Sequence, residues 1–325
     1  MRGESDMLIA VDVGYSHVKW MATNGKRGIF PSVVGNVTVS MLELVNNGYA
    51  TVTLPGGEQY YVGSGALDQS LAAIRLENRS WVTTKVYQVL FLAALCSATR
   101  AINTSVNIMT GLPVSYFGDK YLLENWVTGS LEANNQVFHI QRFMVIPQGL
   151  AAILSTLLTE TGKFAYTQYR EADRIGVLDV GGHTVNTGTF IPRLMRDVPK
   201  KTGSVAEGTW KYLQSLKAQL GRSYPEREWE DHEVARIAAT GRLRIYSQAV
   251  DVSALVGDAM KPLGQKCVSL CTSTWGDCGE LGALFLAGGG APLVANAVQE
   301  AFPRLIVDLL PDPQWSNCEG YLRLA

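Results

Sequence analysis

The feature that most limits what this chain can fold into is an apolar run that ends in an aspartate, turns on glycines and resumes as an alternating strand. It reads Ile175-Gly-Val-Leu-Asp-Val-Gly-Gly-His-Thr-Val-Asn-Thr-Gly-Thr-Phe190. The pattern predicts a β-hairpin, two strands joined by a tight glycine turn. A second copy lies near the start, Ile9-Ala-Val-Asp-Val-Gly-Tyr-Ser-His-Val-Lys19, where Asp12-Val13-Gly14 matches Asp179-Val180-Gly181 and Val18 falls level with Val185. Two such hairpins imply two related halves facing one ligand.

The chemistry of the pattern suits a phosphate. A carboxylate at the end of a strand can organise magnesium, and the backbone N–H groups of a glycine turn form an anion nest. In the first copy Ser16 and Lys19 stand where they could touch phosphates. The plain alternative is an ordinary hairpin with a turn aspartate, and one Asp-x-Gly alone would favour it.

Composition sets the outer limits. The chain has 325 residues, enough for about two domains with a core that needs no staples. Hydrophobic residues make up 47% and charged ones 18%, a globular balance, and the net charge is -1. Such a balance argues against direct nucleic-acid or anionic-membrane binding, which needs an excess of Lys and Arg. The five cysteines, Cys96, Cys267, Cys271, Cys278 and Cys318, form no Cys-x-x-Cys pair and read as reduced thiols of a cytoplasmic protein. Cys267, Cys271 and Cys278 with His232 fit no common zinc spacing. Met1 to Asp6 is too polar for a signal peptide, and Lys85 and Gln88 interrupt the apolar run from Trp81 to Arg100, so no membrane segment is expected.

In chain order, strands are expected at Met7–Val13, His17–Ala22, Val52–Leu54, Gln59–Val62 and Val106–Thr110, with Gly63-Ser64-Gly65 as a break. Helical spacing marks Trp81 to Arg100, and Asp119 to Val127 suits a short helix. A long strand, Asn135 to Ile146, ends at Pro147, and a helix begins at once with Gln148-Gly-Leu-Ala-Ala. Gln148 thus sits at a strand-to-helix junction, where a glutamine either orients a water for attack on a γ-phosphate or merely serves the turn. Thr161 to Asp173 reads as a loop between halves. Further on, a helix with a Ser204 N-cap is expected, then a solvated loop from Arg222 to Glu233 and a largely helical Tyr246 to Thr272. A strand from Leu281 to Ala287 leads to Gly288-Gly-Gly-Ala-Pro-Leu293, where glycine and a helix N-terminus let backbone approach a flat or phosphorylated ligand. Arg304 to Val307 reads as a strand and Asp312 to Leu324 as a closing helix.

These separated stretches, in this order, resemble the actin-like ATPase superfamily, which includes sugar kinases and DnaK-type chaperones. Asp12 to Lys19 is similar to its first phosphate loop, Pro147-Gln148-Gly149 to its first connecting segment, and Leu178 to Thr184 to its second phosphate loop. Leu286 to Leu293 resembles its adenosine segment. Pro313-Gln-Trp-Ser-Asn-Cys-Glu-Gly-Tyr321 is similar to the Pro-x-aromatic-Ala-Asn-x-x-Gly-Tyr ending of prokaryotic actin-like proteins. Gly111-Leu112-Pro113 and Tyr61-Val62-Gly63 resemble segments of ParM and its archaeal actin relatives.

The resemblance implies an α/β protein with a duplicated actin-like (ribonuclease H-like) fold, two domains around a nucleotide cleft. Residues 1–160 with 305–325 would form domain I, and 161–304 domain II. ATP, or GTP in its place, would bind with Mg²⁺. On this reading Asp12 and Asp179 hold the metal, partly through water; Gly14, Tyr15, Ser16, Lys19, Gly181, Gly182, His183 and Thr184 grip phosphates; and Gln148 positions the attacking water. Gly288, Gly289 and Gly290 would face the adenosine, with Glu207 and Lys211 flanking its base or ribose. Many relatives carry Thr at the position of His183 and an acid near Asn186, so this loop is less acidic and the hydrolysis rate is the property most exposed to change.

Three functions compete within the superfamily. A DnaK-type chaperone is expected to carry a peptide-binding domain after the connecting helix, which this sequence does not show. A small-molecule kinase needs an acid to deprotonate its acceptor, and the first connecting segment offers Gln148 instead. The favoured expectation is an ATPase of the ParM and archaeal-actin type that polymerises head to tail into filaments, a contact that does not close on itself. Such relatives often segregate plasmids through an adaptor bound to centromere DNA, so the expected partners are the chain itself and a DNA-binding adaptor.

Overall fold

The computed structural model describes residues 7–37, 50–70, 74–75, 81–165, 169 and 171–324. The chain divides into two compact units, Met1–Ala165 with Asn317–Ala325, and Tyr166–Ser316. The expected loop from 161 to 173 lies partly outside the described residues, as does the polar start of the chain.

In the first unit β1 (Met7–Val13) turns into β2 (His17–Ala22), and β3 (Arg27–Pro31) pairs antiparallel with β2. A small four-stranded sheet follows, built from β4 (Val33–Asn36), β5 (Thr51–Thr53), β6 (Gln59–Val62) and β7 (Ile74–Arg75). The expected break at Gly63-Ser64-Gly65 is instead the entry to a short helix, α1 (Ser64–Gln69), because Gly63 at φ 64° turns the backbone into it. Then come α2 (Lys85–Ala98), β8 (Asn103–Leu112), α3 (Lys120–Trp126), β9 (Ser130–Ala133), β10 (Gln136–Pro147) and α4 (Leu150–Leu157). The main sheet has the order β3-β2-β1-β8-β10-β9, with β1, β8 and β10 parallel. Thr84 caps α2 by accepting the Tyr87 N–H at 3.2 Å. That helix is apolar almost all round, and it buries Tyr87, Leu90, Phe91 and Leu95 in the core beneath β1.

The second unit repeats the plan. Its hairpin is β11 (Ile175–Val180) and β12 (Val185–Ile191), extended by β13 (Arg196–Asp197) and β14 (Gly203–Val205), both on β12. There follow α5 (Thr209–Ser223), α6 (Asp231–Thr240), β15 (Arg242–Ile245), β16 (Gln248–Asp251), α7 (Ser253–Trp275), β17 (Ala283–Ala287), α8 (Ala291–Ala301) and β18 (Val307–Leu309). Strands β11, β17 and β18 run parallel, and both β11 and β17 are buried throughout, as their unbroken apolar runs require. The last helix, α9 (Ser316–Leu324), falls in the first unit apart from Ser316.

Four expectations are corrected here. Ser204 is in a strand rather than at an N-cap, because Gly203 to Val205 pairs with β12; the helix starts at Thr209. Residues 231–233 open α6 instead of ending a loop, and Trp229 before them is buried. Tyr246 to Val252 is not helical: Leu243 is buried between exposed Arg242 and Arg244, a period of two, and the chain reverses at Tyr246 (φ 52°) without glycine or asparagine to mark the turn. Residues 305–316, grouped by sequence with the first half, belong to the second unit, since β18 adds to β17. Among the described residues no helix is long and apolar enough to cross a membrane.

Candidate functional site

The two hairpins have the same pairing register. In the first, Asp12 stands opposite Lys19 and Val13 opposite Val18; in the second, Asp179 stands opposite Asn186 and Val180 opposite Val185. Each turn closes by one backbone bond, Gly14 N–H to His17 O at 3.1 Å and Gly181 N–H to Thr184 O at 2.9 Å. A Cβ on Gly14 or Gly181 would lie 3.0 or 3.1 Å from that same acceptor oxygen, so both turns select glycine at one place.

In the first unit Asp12 is 2% exposed, and its two oxygens are held by different partners. Lys19 Nζ lies 2.6 Å from Oδ2, and Gln148 Nε2 donates to Oδ1 at 2.7 Å. The Gln148 backbone is fixed as well, its N–H donating to Leu112 O at 2.8 Å, and the next N–H, of Gly149, donates to Asn317 Oδ1 at 2.9 Å. Ser32 takes the carbonyl side of the turn, its hydroxyl donating to Gly14 O at 2.5 Å and its N–H to Ser16 O at 2.9 Å. Tyr15 turns its ring to Trp81, 4.8 Å between centroids, and burial pushes its hydroxyl pKa up, with Tyr116 adding to the shift. Cys318 donates weakly to Lys19 O at 3.5 Å, and burial holds its thiol protonated.

In the second unit Asp179 is 5% exposed beside Gly288, whose hypothetical Cβ would lie 2.4 Å from Asp179 Oδ1 and 2.5 Å from Val180 O. Gly288 also has φ 83°, so geometry and space both demand glycine. Its N–H donates to Pro313 O at 2.7 Å, and the Gly290 N–H donates to Val180 O at 2.9 Å. Gly289 has more room, with Gln314 as its nearest neighbour at 3.7 Å. The start of α5 lies against the carbonyl side of the turn, where the Thr209 and Trp210 N–H groups donate to Gly181 O at 3.0 Å and Gly182 O at 2.8 Å. The His183 and Trp210 rings are nearly parallel, 6.4 Å apart. Asn186 accepts from the Ser204 hydroxyl at 2.7 Å and donates to Thr184 Oγ1 at 3.3 Å.

Glu207 and Lys211 lie at the start of α5, paired at 3.1 Å. The Lys211 hydrogen bond is the main cause that lowers the Glu207 pKa, and Lys266 on α7 lowers it further.

Bonds within the first unit therefore join Asp12, Lys19 and Gln148 around the Gly14-Tyr15-Ser16 turn. In the second, backbone bonds join Gly181 to Thr184 and Gly290 to Val180, with Asp179 packed close against Gly288. Sequence reasoning missed Asn317, Ser32, Gly208 and Lys266. Gly208 had a legible signal, a glycine just before a helix, and a Cβ there would come within 2.5 Å of the Gly181 and Gly182 carbonyl oxygens. Asn317 was visible only as a letter of a motif.

A hard divalent cation fits this donor set. A carboxylate has about four acceptor positions, of which Asp12 gives one each to Lys19 and Gln148, and Mg²⁺ keeps most of its own water. Among the described residues there is no group of three or more His, Cys, Asp or Glu side chains that could hold a metal ion.

Residues 10–150 match the family model described as the N-terminal domain of actin-like proteins, and residues 177–300 match the C-terminal model of the MreB-like archaeal actin homologue. The archaeal actin homolog of Thermoplasma acidophilum is 23% identical over 333 residues, covering 97% of both chains. That of Thermoplasma volcanium is equally similar, at 23% with the same coverage. Among solved structures, an archaeal actin homolog in complex with ADP aligns with a TM-score of 0.78 at 20% identity, covering 97% of this chain and 98% of that one. A 15-stranded ParM filament from Clostridium botulinum aligns at 0.75 and 21% identity, covering 98% of each.

Proposed function

Because this chain belongs to the actin-like superfamily, we propose that it binds ATP with Mg²⁺, hydrolyses it, and assembles head to tail into cytoplasmic filaments that segregate DNA. The observation that carries the reading is the buried Gln148 amide, held 2.7 Å from Asp12 where β1 meets its turn. An amide is suited to orient a water for in-line attack, a task that needs hydrogen bonds and no strong base.

The turns supply the phosphate grip. Ser32 holds the carbonyls of one turn and α5 those of the other, and the Gly14 and Gly181 N–H groups close the turns themselves, which fixes the backbone offered to an anion. Lys19 adds a fixed positive charge beside Gly14 to Ser16. When bound, Mg²⁺ would neutralise charge between phosphates, and Asp12 and Asp179 are the carboxylates that would hold it and its waters. Gly288 and Gly290 let Asp179, Val180 and Thr209 pack against this backbone, Gly289 keeps room for a nucleoside beside it, and Glu207 with Lys211 offers a charged flank.

Assembly is supported by the relatives, one of which is a ParM filament. Segregation is the finer part of the proposal: a net charge of -1 suits contact with DNA through an adaptor protein better than direct binding. The test is sedimentation with ATP, GTP, ADP or no nucleotide, with phosphate release followed in the same tube. ATP-dependent pelleting with phosphate release supports the proposal. Turnover without polymer at any concentration sinks the filament, and absence of turnover sinks the ATPase.

A further inference from the structure

We infer that Asn317 is a positioning residue that aims Gln148, acting through the backbone of Gly149. The inference rests on the reading of Gln148 as the water-orienting group, and it adds a residue to which nothing above assigns a function.

Gln148 can face Asp12 only if the chain bends sharply between β10 and α4. Gly149 makes that bend at φ 82°, a region glycine enters without strain and can also leave easily. What holds it is the 2.9 Å bond from its N–H to the Oδ1 of Asn317, a side chain only 6% exposed. The Gln148 N–H is held separately by Leu112 O at 2.8 Å. The glutamine is therefore restrained from both sides of its own α-carbon.

Helix α9 is an unusually firm base for this bond. Gly320 packs so closely on α4 that a Cβ there would fall 1.7 Å from Ala151 O. One on Gly111, next to Leu112, would fall 1.8 Å from the Tyr321 hydroxyl. Asn317, Gly320 and Tyr321 thus register one helix against both backbone segments that carry Gln148. An alternative role for Asn317, a simple cap of α4, predicts lost stability but no selective loss of the chemical step.

The experiment compares Asn317→Ala and Asn317→Asp with wild type, alone and in the Gln148→Ala background. Asn317→Ala is expected to lower kcat about tenfold to a hundredfold, the scale of a misplacement near 1 Å, while KM for ATP stays within about twofold. Asn317→Asp keeps an acceptor at Oδ1 and is expected to retain most of kcat. In the Gln148→Ala background, Asn317→Ala is expected to cost nothing further. An equal loss in both backgrounds, or a loss confined to KM, overturns the inference.

Hydrogen exchange at the Gly149 amide provides an arm that needs no turnover. Faster exchange in Asn317→Ala than in Asn317→Asp supports the restraint; equal exchange in both and in wild type overturns it. If wild type itself releases no phosphate, the proposed ATPase fails, and this exchange result still decides whether Asn317 holds the bend.

Discussion

Lys19 and Asn186 occupy the same place in two copies of one hairpin, each directly across the sheet from a buried aspartate. The first copy answers its carboxylate with an ammonium group at 2.6 Å. In the second, the residue opposite is an uncharged amide spent on Ser204 and Thr184. One turn is thus built around an ion pair and the other around a hydrogen-bond network.

Removing the charge from the first should be felt in stability as well as binding. Lys19→Met leaves the 2% exposed Asp12 without its cation, and breaking one side of such a pair costs about 3 kcal/mol. Denaturant unfolding is expected to show that loss, and Asp12→Asn added to Lys19→Met to recover part of it. Two losses that simply add would mean the residues do not act as a pair.

Gln148→Ala should slow phosphate release about a hundredfold or more and leave ATP affinity nearly unchanged, because the amide acts on water rather than on nucleotide. Polymers of this variant, followed by light scattering, are expected to outlast those of wild type. Unchanged release would remove Gln148 from the mechanism.

Gly288→Ala tests the second unit. The added methyl would meet Asp179 Oδ1 at 2.4 Å and Val180 O at 2.5 Å, on a backbone already at φ 83°. A stability loss of about 2 kcal/mol or more is expected, together with weakened nucleotide binding. Gly289→Ala, with Gln314 at 3.7 Å, should be far milder in the same unfolding assay.

A pH-dependent contribution is expected from Glu280, which binds Arg174 ahead of β11 and Lys201 at 2.8 Å. The Lys201 hydrogen bond is the main cause that holds its carboxyl below the usual range, and Arg174 adds to it. A lowered folded pKa means the stabilisation is complete above the unfolded pKa and is lost as pH falls through the folded one. Glu280→Gln should therefore cost at most about 1 kcal/mol at neutral pH, since the site is partly exposed, and nothing in strong acid. A cost that persists in strong acid would trace the effect to packing.

Much of this was legible in the sequence, where local rules govern. The Asp-x-Gly hairpins, the Pro147 to Gln148 junction and the strand leading to Gly288 each carry their signal within about ten residues. What was not legible depends on partners distant in the chain. Gly203 to Val205 reads as a helix start until β12 is there to pair with it. Asn317 gains meaning only when α9 lies beside Gly149, an approach made at Gly320 and Gly111 by side chains that are missing. The Tyr246 turn was hidden for the opposite reason, a local conformation that its own residues do not favour.

The matching turn lengths make each hairpin a yardstick for the other. Inserting one residue into the Gly181 turn would slip β12 by one place and exchange the side chains of its two buried faces, while the Gly14 turn stayed intact as a reference in the same molecule. Isotope probes at Ser16 and His183, equivalent places in the two copies, would report in one sample how a turn whose aspartate faces a lysine and one whose aspartate faces an asparagine answer added nucleotide.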